Sequence, residues 1–134
     1  MTAHRHVIRV RYAESDQMGF AHHSTFIVWM EEARIEWLRS IGHSYRDLET
    51  QGVLMPVIEV QITYKKPFRF DDQVELTTEI AALGRSRVQF STIFRMVGNE
   101  TVHAEGRVVI AAVGRDGRPQ RMPAGVAATL PTAP

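Results

Sequence analysis

The residues that point most directly to chemistry lie in one short segment of the 134-residue chain, between a first strand and a long amphipathic helix. This segment contains the carboxylate of Asp16, the glycine Gly19, and the adjacent histidines His22 and His23. A glycine lets the backbone turn and approach a ligand closely. The first turn of a helix offers unpaired N–H groups and a positive dipole end, which can hold a developing oxyanion. This combination is typical of an acyl-transfer site.

A purely structural interpretation of the same residues stays open at this point. Loop aspartates are usually solvated turn formers, so Asp16 could serve only the turn, and His23 could only pack beside the helix cap. Other kinds of site are disfavoured. The chain has no Cys, which excludes a thiol nucleophile and disulfides. Its six His lack the spacing of a metal site, so we expect no metal.

Two helices are expected near this segment. Apolar residues three or four apart predict an amphipathic helix over 25–41, which Ser24 or Thr25 caps and which ends at Gly42. A capping box that begins at Ser44 predicts a short second helix. The first of these helices is long enough to carry one wide apolar face. It is therefore the element that orients the end of the Asp16 segment.

Five segments alternate apolar and polar residues and predict β-strands. The element order is β-α-β-β-β-β, and short glycine-containing connections predict hairpins between the last three strands. Only the long helix can cover the apolar face of the sheet, so we expect an α+β fold with a five-stranded, mostly antiparallel sheet wrapped around one central helix. The predicted strands are residues 6–13, 58–64, 74–80, 88–96 and 102–112.

Length and composition exclude several classes of protein. The chain is expected to form one domain, 1–134, with a core of about 6–113 and a Gly/Pro-rich surface tail over 114–134. A net charge of +1 argues against a nucleic-acid partner. No apolar run reaches the roughly 18 residues of a membrane span, and the first residues lack the apolar core of a secretory leader. With no Cys, these features predict a cytoplasmic protein.

The segment 11–26 resembles the opening of the 4-hydroxybenzoyl-CoA thioesterase family, and most closely its Tol–Pal-operon-associated branch. That opening runs Tyr-x-Asp-Thr-Asp-x-x-Gly-Val-Val-Tyr-His-x-x-Tyr. Asp16, Gly19 and His23 stand at the matching positions of this chain. The resemblance covers about residues 6–113, and its other clear stretches are 32–39 and 64–72.

The chain departs from the family pattern at several loop positions. Glu14 stands where the family has Asp, Ser15 where it has Thr, and Phe26 where it has the later Tyr. The family's Val-Val-Tyr is Phe-Ala-His at residues 20–22. These positions would line the mouth of an acyl pocket, so the resemblance leaves the acyl preference open.

The resemblance implies the hotdog fold and hydrolysis of an acyl-CoA thioester to a free acid and CoA. Asp16 would be the general base or the nucleophile. The backbone N–H near His23 would bind the oxyanion, and the His23 side chain would orient the carboxylate or the substrate. No cofactor is implied beyond the CoA that the substrate carries. The expected substrate-binding residues are Gly19, Phe20, His22, Val57, Arg85, Ser86 and Arg87, of which the arginines suit the phosphates of CoA.

The predicted fold also bears on the oligomeric state of the protein. One helix fills the only core, so a single subunit has little room for a substrate cavity. We therefore expect a site between the subunits of a homodimer or homotetramer, the assemblies that the resemblance implies. Two other functions stay open: an acyl-thioester-binding or scaffold protein without turnover, and a hotdog enoyl-thioester hydratase. The hydratase motif Asp-x-Asn-x-x-His is missing from the chain.

Overall fold

A computed structural model describes residues 3–127 of the chain. A 3-10 turn, Tyr12–Glu14, follows the first strand. No helix within the described range is long and apolar enough to cross a bilayer. The other elements, in chain order, are β1 (His4–Arg9), α1 (Thr25–Ser40), α2 (Tyr45–Thr50), β2 (Val57–Tyr64), β3 (Gln73–Leu83), β4 (Arg87–Met96), β5 (Val102–Ala111) and α3 (Ala124–Ala127).

The five strands form one sheet in the order β1-β3-β4-β5-β2, and every neighbouring pair is antiparallel. Side chains in β3 and β4 alternate between buried and partly exposed, as expected for a sheet with one covered face. The cover is α1, whose Trp29, Met30 and Trp37 are buried in the same cluster as Phe90 and Phe94 of β4. The predicted α+β hotdog arrangement is thereby confirmed.

The Met30 side chain of α1 packs against the sheet at Gly106 of β5. A Cβ atom built on Gly106 would collide with the sulfur of Met30. A larger residue at this position would displace the Met30 side chain, because protein interiors are close-packed. The absence of a side chain at Gly106 thus leaves room for Met30 between α1 and the sheet.

Two details of the first part of the chain differ from the predictions. Strand β1 ends at Arg9, because the chain turns into the 3-10 segment, where Tyr12 is 80% exposed, although the alternation of residue types continues to residue 13. Ser24 does not cap α1 with its side chain. Its own backbone is already helical, and its hydroxyl bonds to Nδ1 of His22. The Ser44 cap of α2 is confirmed, with Ser44 Oγ accepting from the Asp47 N–H.

The C-terminal segment packs onto the core, so the prediction of a surface tail from Gly114 is wrong up to residue 126. Met122 is 4% exposed and Val126 is 0% exposed. The Met122 N–H donates to the carbonyl of Arg85 at 2.8 Å, which ties the segment to the β3–β4 hairpin. A Gly/Pro-rich composition signals irregular backbone, and irregular backbone can still carry buried side chains. Residues 128–134 lie outside the described range.

Strand β2 forms one edge of the sheet and leaves large apolar side chains in solvent. The predicted apolar face of this strand is therefore only partly covered within one chain, with Ile62 packed against the core, although the corresponding faces of β3, β4 and β5 are covered. On α1, Ile27 and Val28 are also exposed. The exposed apolar residues of β2 are Val57, Ile58, Val60 and Tyr64, at 44%, 45%, 37% and 46%.

Candidate active site

The segment between β1 and α1 folds back so that Asp16 lies opposite Phe20. The Asp16 N–H donates to the Phe20 carbonyl at 2.8 Å, and the Gly19 N–H donates to the Asp16 carbonyl at 3.0 Å. Gly19 has φ +83°, a left-handed conformation that side chains other than glycine rarely adopt. The tight turn expected at Gly19 is therefore present, and it presents the side chain of Asp16.

The Asp16 carboxylate is held in place by backbone donors. Its Oδ1 accepts the N–H of Met18 at 2.9 Å and the N–H of Phe20 at 3.1 Å. Both bonds use the same oxygen, and Oδ2 takes part in none of the hydrogen bonds between residues 3 and 127. The side chain is therefore fixed through one oxygen, and the other oxygen is available to accept a proton or to attack a carbonyl carbon.

The peptide that joins His22 to His23 is fixed at the start of α1. The His22 carbonyl accepts from the Thr25 N–H at 3.0 Å, and the His22 N–H donates to the Glu14 carbonyl at 2.7 Å. In a trans peptide the C=O and N–H point in opposite directions, so the His23 N–H points away from the first helical turn. That N–H donates in none of the hydrogen bonds of the described part of the chain.

The two histidine side chains lie at the surface, and their rings face each other 4.3 Å apart at 30°. Adjacent side chains in an extended segment usually point apart. Instead, His22 Nδ1 lies 2.7 Å from Ser24 Oγ, and this contact brings its ring toward that of His23. Among residues 3–127, no group of three or more His, Asp or Glu side chains is arranged to hold a metal ion.

A cavity of about 270 Å³ opens beside His23, between the start of α1 and the end of β2. The Tyr64 hydroxyl donates to the His23 carbonyl at 2.8 Å, and the Tyr64 ring meets the Phe26 ring edge-on. Partial desolvation raises the pKa of the Tyr64 hydroxyl, although the residue is half exposed, so this donor keeps its proton at neutral and mildly alkaline pH. The cavity is lined by Ala21, His23, Phe26, Tyr64, Lys65, Lys66 and Pro67.

The remaining predicted site residues do not meet Asp16 within one chain. The Phe70 N–H donates to the Gly19 carbonyl, so the Asp16 turn lies near the start of β3. The hairpin that carries Arg85, Ser86 and Arg87 lies at the other end of β3, about 30 Å away at 3.3 Å per residue. Val57 pairs with Ile110 at that same distant end.

Arg85 lines a second cavity of about 660 Å³ together with Arg121. Neither arginine forms a salt bridge with residues 3–127. Arg121 is not among the residues predicted from the sequence, because it falls in the segment expected to be an exposed tail. The apolar residues Met122 and Val126, four positions apart, were the available signal that the segment packs. The walls of this cavity also include the apolar residues Leu83, Met122 and Pro123.

Comparison with known proteins shows the family of this chain. Residues 18–103 match the family model of the Thioesterase superfamily. Acyl-CoA thioester hydrolase YbgC of Escherichia coli O157:H7 is 31% identical over 113 residues, which are 84% of this chain and 83% of that protein. Putative acyl-CoA thioesterase YneP of Bacillus subtilis is 44% identical over 73 residues, 54% of this chain. The aligned region spans 53% of YneP, which is about half its length. The corresponding regions span 66% of a putative esterase from Aquifex aeolicus and 64% of one from Synechocystis.

Solved structures support the same assignment. The hypothetical protein TT1821 from Thermus thermophilus superposes with a TM-score of 0.88 at 33% identity, covering 95% of this chain and 99% of that one. The DHNA-CoA thioesterase from Staphylococcus aureus superposes with a TM-score of 0.84 at 28% identity, covering 89% and 80%. The match to the family model includes Gly19 and His23 and extends over more than half of the chain. The chain therefore belongs to the Thioesterase superfamily.

Proposed function

We propose that this protein hydrolyses an acyl-CoA thioester to a free acid and CoA. The observation that carries the proposal is the pairing, within one loop, of a fixed carboxylate with a free oxygen on Asp16 and an unbonded N–H on His23. A carboxylate oxygen can accept a proton or form a covalent bond, and a backbone N–H can stabilise an oxyanion. The names of YbgC and YneP point to the same reaction.

Two routes use the free oxygen of Asp16. As a general base, Oδ2 takes a proton from water while the water oxygen attacks the thioester carbon, and the proton then goes to the departing CoA thiolate. As a nucleophile, Oδ2 attacks that carbon itself, CoA leaves as the thiolate, and water hydrolyses the resulting mixed anhydride. Both routes pass through a tetrahedral intermediate, and the His23 N–H would donate to its oxyanion.

A second copy of the chain would complete the site. An edge strand with exposed apolar side chains is a template for pairing with another chain, and β2 is such an edge. Antiparallel pairing of two β2 strands around a two-fold axis sets Val57 of one copy near Tyr64 of the other. The same operation brings the hairpin with Arg85 and Arg87 of one copy to the end of the sheet that carries Asp16 of the other. The proposed assembly is this homodimer, alone or paired into a homotetramer.

The phosphates of CoA would bind at that hairpin. We expect an Arg85→Ala/Arg87→Ala double variant to raise KM for acyl-CoA by about tenfold with little change in kcat, because the lost bonds are charge-assisted and lie far from the thioester. The rise in KM with ionic strength should also flatten in this variant, which steady-state kinetics at low and high salt would measure.

The matched control is Arg118→Ala, which removes an exposed arginine that pairs with Asp116. This control should keep the wild-type KM and its salt dependence. A double variant whose KM keeps the full salt dependence of the wild type would remove the hairpin from the substrate site.

A panel of acyl-CoA substrates tests the reaction itself. Within the superfamily, the motif of Asp16, Gly19 and His23 supports the 4-hydroxybenzoyl-CoA branch, so the panel contains 4-hydroxybenzoyl-CoA, DHNA-CoA, short branched and medium-chain acyl-CoAs. We expect release of free thiol from at least one class well above the uncatalysed rate. A ligand-induced rise in melting temperature without thiol release would instead indicate an acyl-thioester-binding protein. A change in enoyl absorbance without thiol release would indicate a hydratase.

A further inference from the structure

Glu14 is a buried carboxylate, 9% exposed, that the proposed reaction does not use. Its Oε1 accepts the backbone N–H of Arg11 at 2.7 Å. Its Oε2 accepts Nε1–H of Trp29 at 3.1 Å and Nη2–H of Arg11 at 3.3 Å. Burying a charge is costly unless it is paired and hydrogen-bonded, and here both oxygens have donors. An unused carboxylate with this many specific partners requires an explanation.

The partners of Glu14 belong to the elements that hold the active-site loop. Trp29 lies on α1, and its ring packs against Phe26 and Phe68 in the aromatic core. The backbone carbonyl of Glu14 accepts the His22 N–H at 2.7 Å. Asp16 follows two residues later in the chain. Glu14 thus connects Trp29 of α1 to both ends of the active-site loop, Arg11 at its start and His22 at its end.

The connection to His22 bears directly on the oxyanion donor. The His22 N–H is anchored on Glu14, and the His22 carbonyl is anchored on the Thr25 N–H. Together these two bonds orient the peptide that carries the His23 N–H. A shift of Glu14 relative to α1 would move this peptide and the Asp16 turn, because both are attached to the same residue.

We propose that Glu14 is a positioning residue, whose carboxylate, bonded to Trp29 and Arg11, sets the place of the Asp16 turn and of the His22–His23 peptide against α1. The expected effect of Glu14 on turnover rests on the proposed thioesterase function. Its expected effect on the position of the loop is independent of that function. Glu14 contacts no reacting atom in this proposal and acts only through the geometry of other groups.

The first test is Glu14→Gln, which keeps the shape of the side chain but replaces one acceptor oxygen with an NH₂ donor. One of the bonds from Arg11 N–H and Trp29 Nε1–H must then be lost, because a donor would face a donor. We expect kcat to fall by about 10- to 100-fold with KM within about threefold, the pattern of a misplaced catalytic group. Amide hydrogen exchange at His22, followed by NMR, should accelerate by about tenfold or more in the same variant.

A second variant tests whether Glu14 acts through the helix. Trp29→Phe removes the Nε1–H donor and leaves an aromatic ring in the core. If the two residues act as one unit, the double variant Glu14→Gln/Trp29→Phe loses no more kcat than the worse single variant. Glu75→Gln is the matched control, since it removes a carboxylate that pairs with Arg5 on β1, and it should keep the wild-type kcat and exchange rates. Strictly additive losses in the double variant would overturn the pairing.

The outcomes separate this proposal from the proposed function. Wild-type exchange at His22 in Glu14→Gln, or a lower melting temperature with unchanged kcat per folded molecule, would overturn the positioning role. Faster exchange at His22 in a protein whose wild type releases no thiol from any acyl-CoA would support the positioning role and overturn the proposed reaction. If Glu14→Gln does not fold, Trp29→Phe gives the same readouts with the carboxylate in place.

Discussion

Asp16→Asn is expected to lower kcat for acyl-CoA hydrolysis by about 10²- to 10⁴-fold, the range of general acid–base catalysis. The substitution is unusually clean at this position. The amide oxygen of Asn can still accept the N–H bonds from Met18 and Phe20, so the turn is preserved. The NH₂ group replaces Oδ2, and it can neither take a proton from water nor attack the thioester. The loss should therefore appear in kcat, with the melting temperature close to that of the wild type.

His23→Ala is the matched comparison for Asp16→Asn. It removes a side chain that is expected to orient the substrate, but the His23 backbone N–H remains, so its loss of kcat should be smaller. Thiol release under saturating substrate measures both variants. Wild-type turnover by Asp16→Asn across the acyl-CoA panel would show that the carboxylate is not catalytic.

The wild-type enzyme can also distinguish the two routes open to Asp16. A single turnover in oxygen-18 water places the label only in the acid product if Asp16 is a general base. If Asp16 is a nucleophile and water attacks its carbon in the mixed anhydride, the label enters the Asp16 carboxylate, which mass spectrometry of the peptide detects. Attack at the acyl carbon leaves the peptide unlabelled, so labelled peptide is the informative result and establishes the covalent route.

The sequence predicted those parts of the fold that local periodicity determines. A helix over 25–41 is observed as Thr25–Ser40, and the strand expected over 88–96 is observed as Arg87–Met96. Both elements have one apolar face buried in the same core, so the spacing of apolar residues along the sequence shows directly whether the segment is a helix or a strand. The turn at Gly19 was predictable for the same kind of reason, because a left-handed backbone favours glycine.

The features that the sequence did not show depend on contacts between distant parts of the chain. Alternation in β2 revealed an apolar face, but only the sheet order shows that this strand is an edge with its face uncovered. Met122 is buried where its backbone N–H bonds to the carbonyl of Arg85, far away in sequence. The role of Glu14 depends on Trp29, which reaches it across 15 positions. No local pattern encodes these pairings.

The exposed face of β2 leads to the second large effect that we expect. An Ile58→Lys/Val60→Lys double variant should be a folded monomer with at least about 100-fold lower activity, because the two halves of the site no longer meet. Both side chains are already substantially exposed in one chain, so lysine is tolerated there. In a dimer the same lysines would be buried without partners, at a cost of several kcal/mol. Light scattering at assay concentration and circular dichroism measure assembly and folding.

Gln61→Lys/Thr63→Lys is the matched control, since it adds the same charge to exposed positions of the same strand, on the face opposite Val60. This control should remain a dimer with near wild-type activity. Full activity in a strictly monomeric wild type, or in the monomeric Ile58→Lys/Val60→Lys variant, would rule out a shared site.

Mixing two defective variants gives the most direct evidence for a shared site. Asp16→Asn lacks the carboxylate, and Arg85→Ala/Arg87→Ala lacks the phosphate contacts, which matter most when the substrate concentration is far below KM. In a heterodimer of the two, one site contains the intact Asp16 of one copy and the intact hairpin of the other. After subunit exchange, activity at low substrate should therefore exceed the average of the two parents. If each site lies within a single chain, every site in the mixture carries a defect and the activity equals that average.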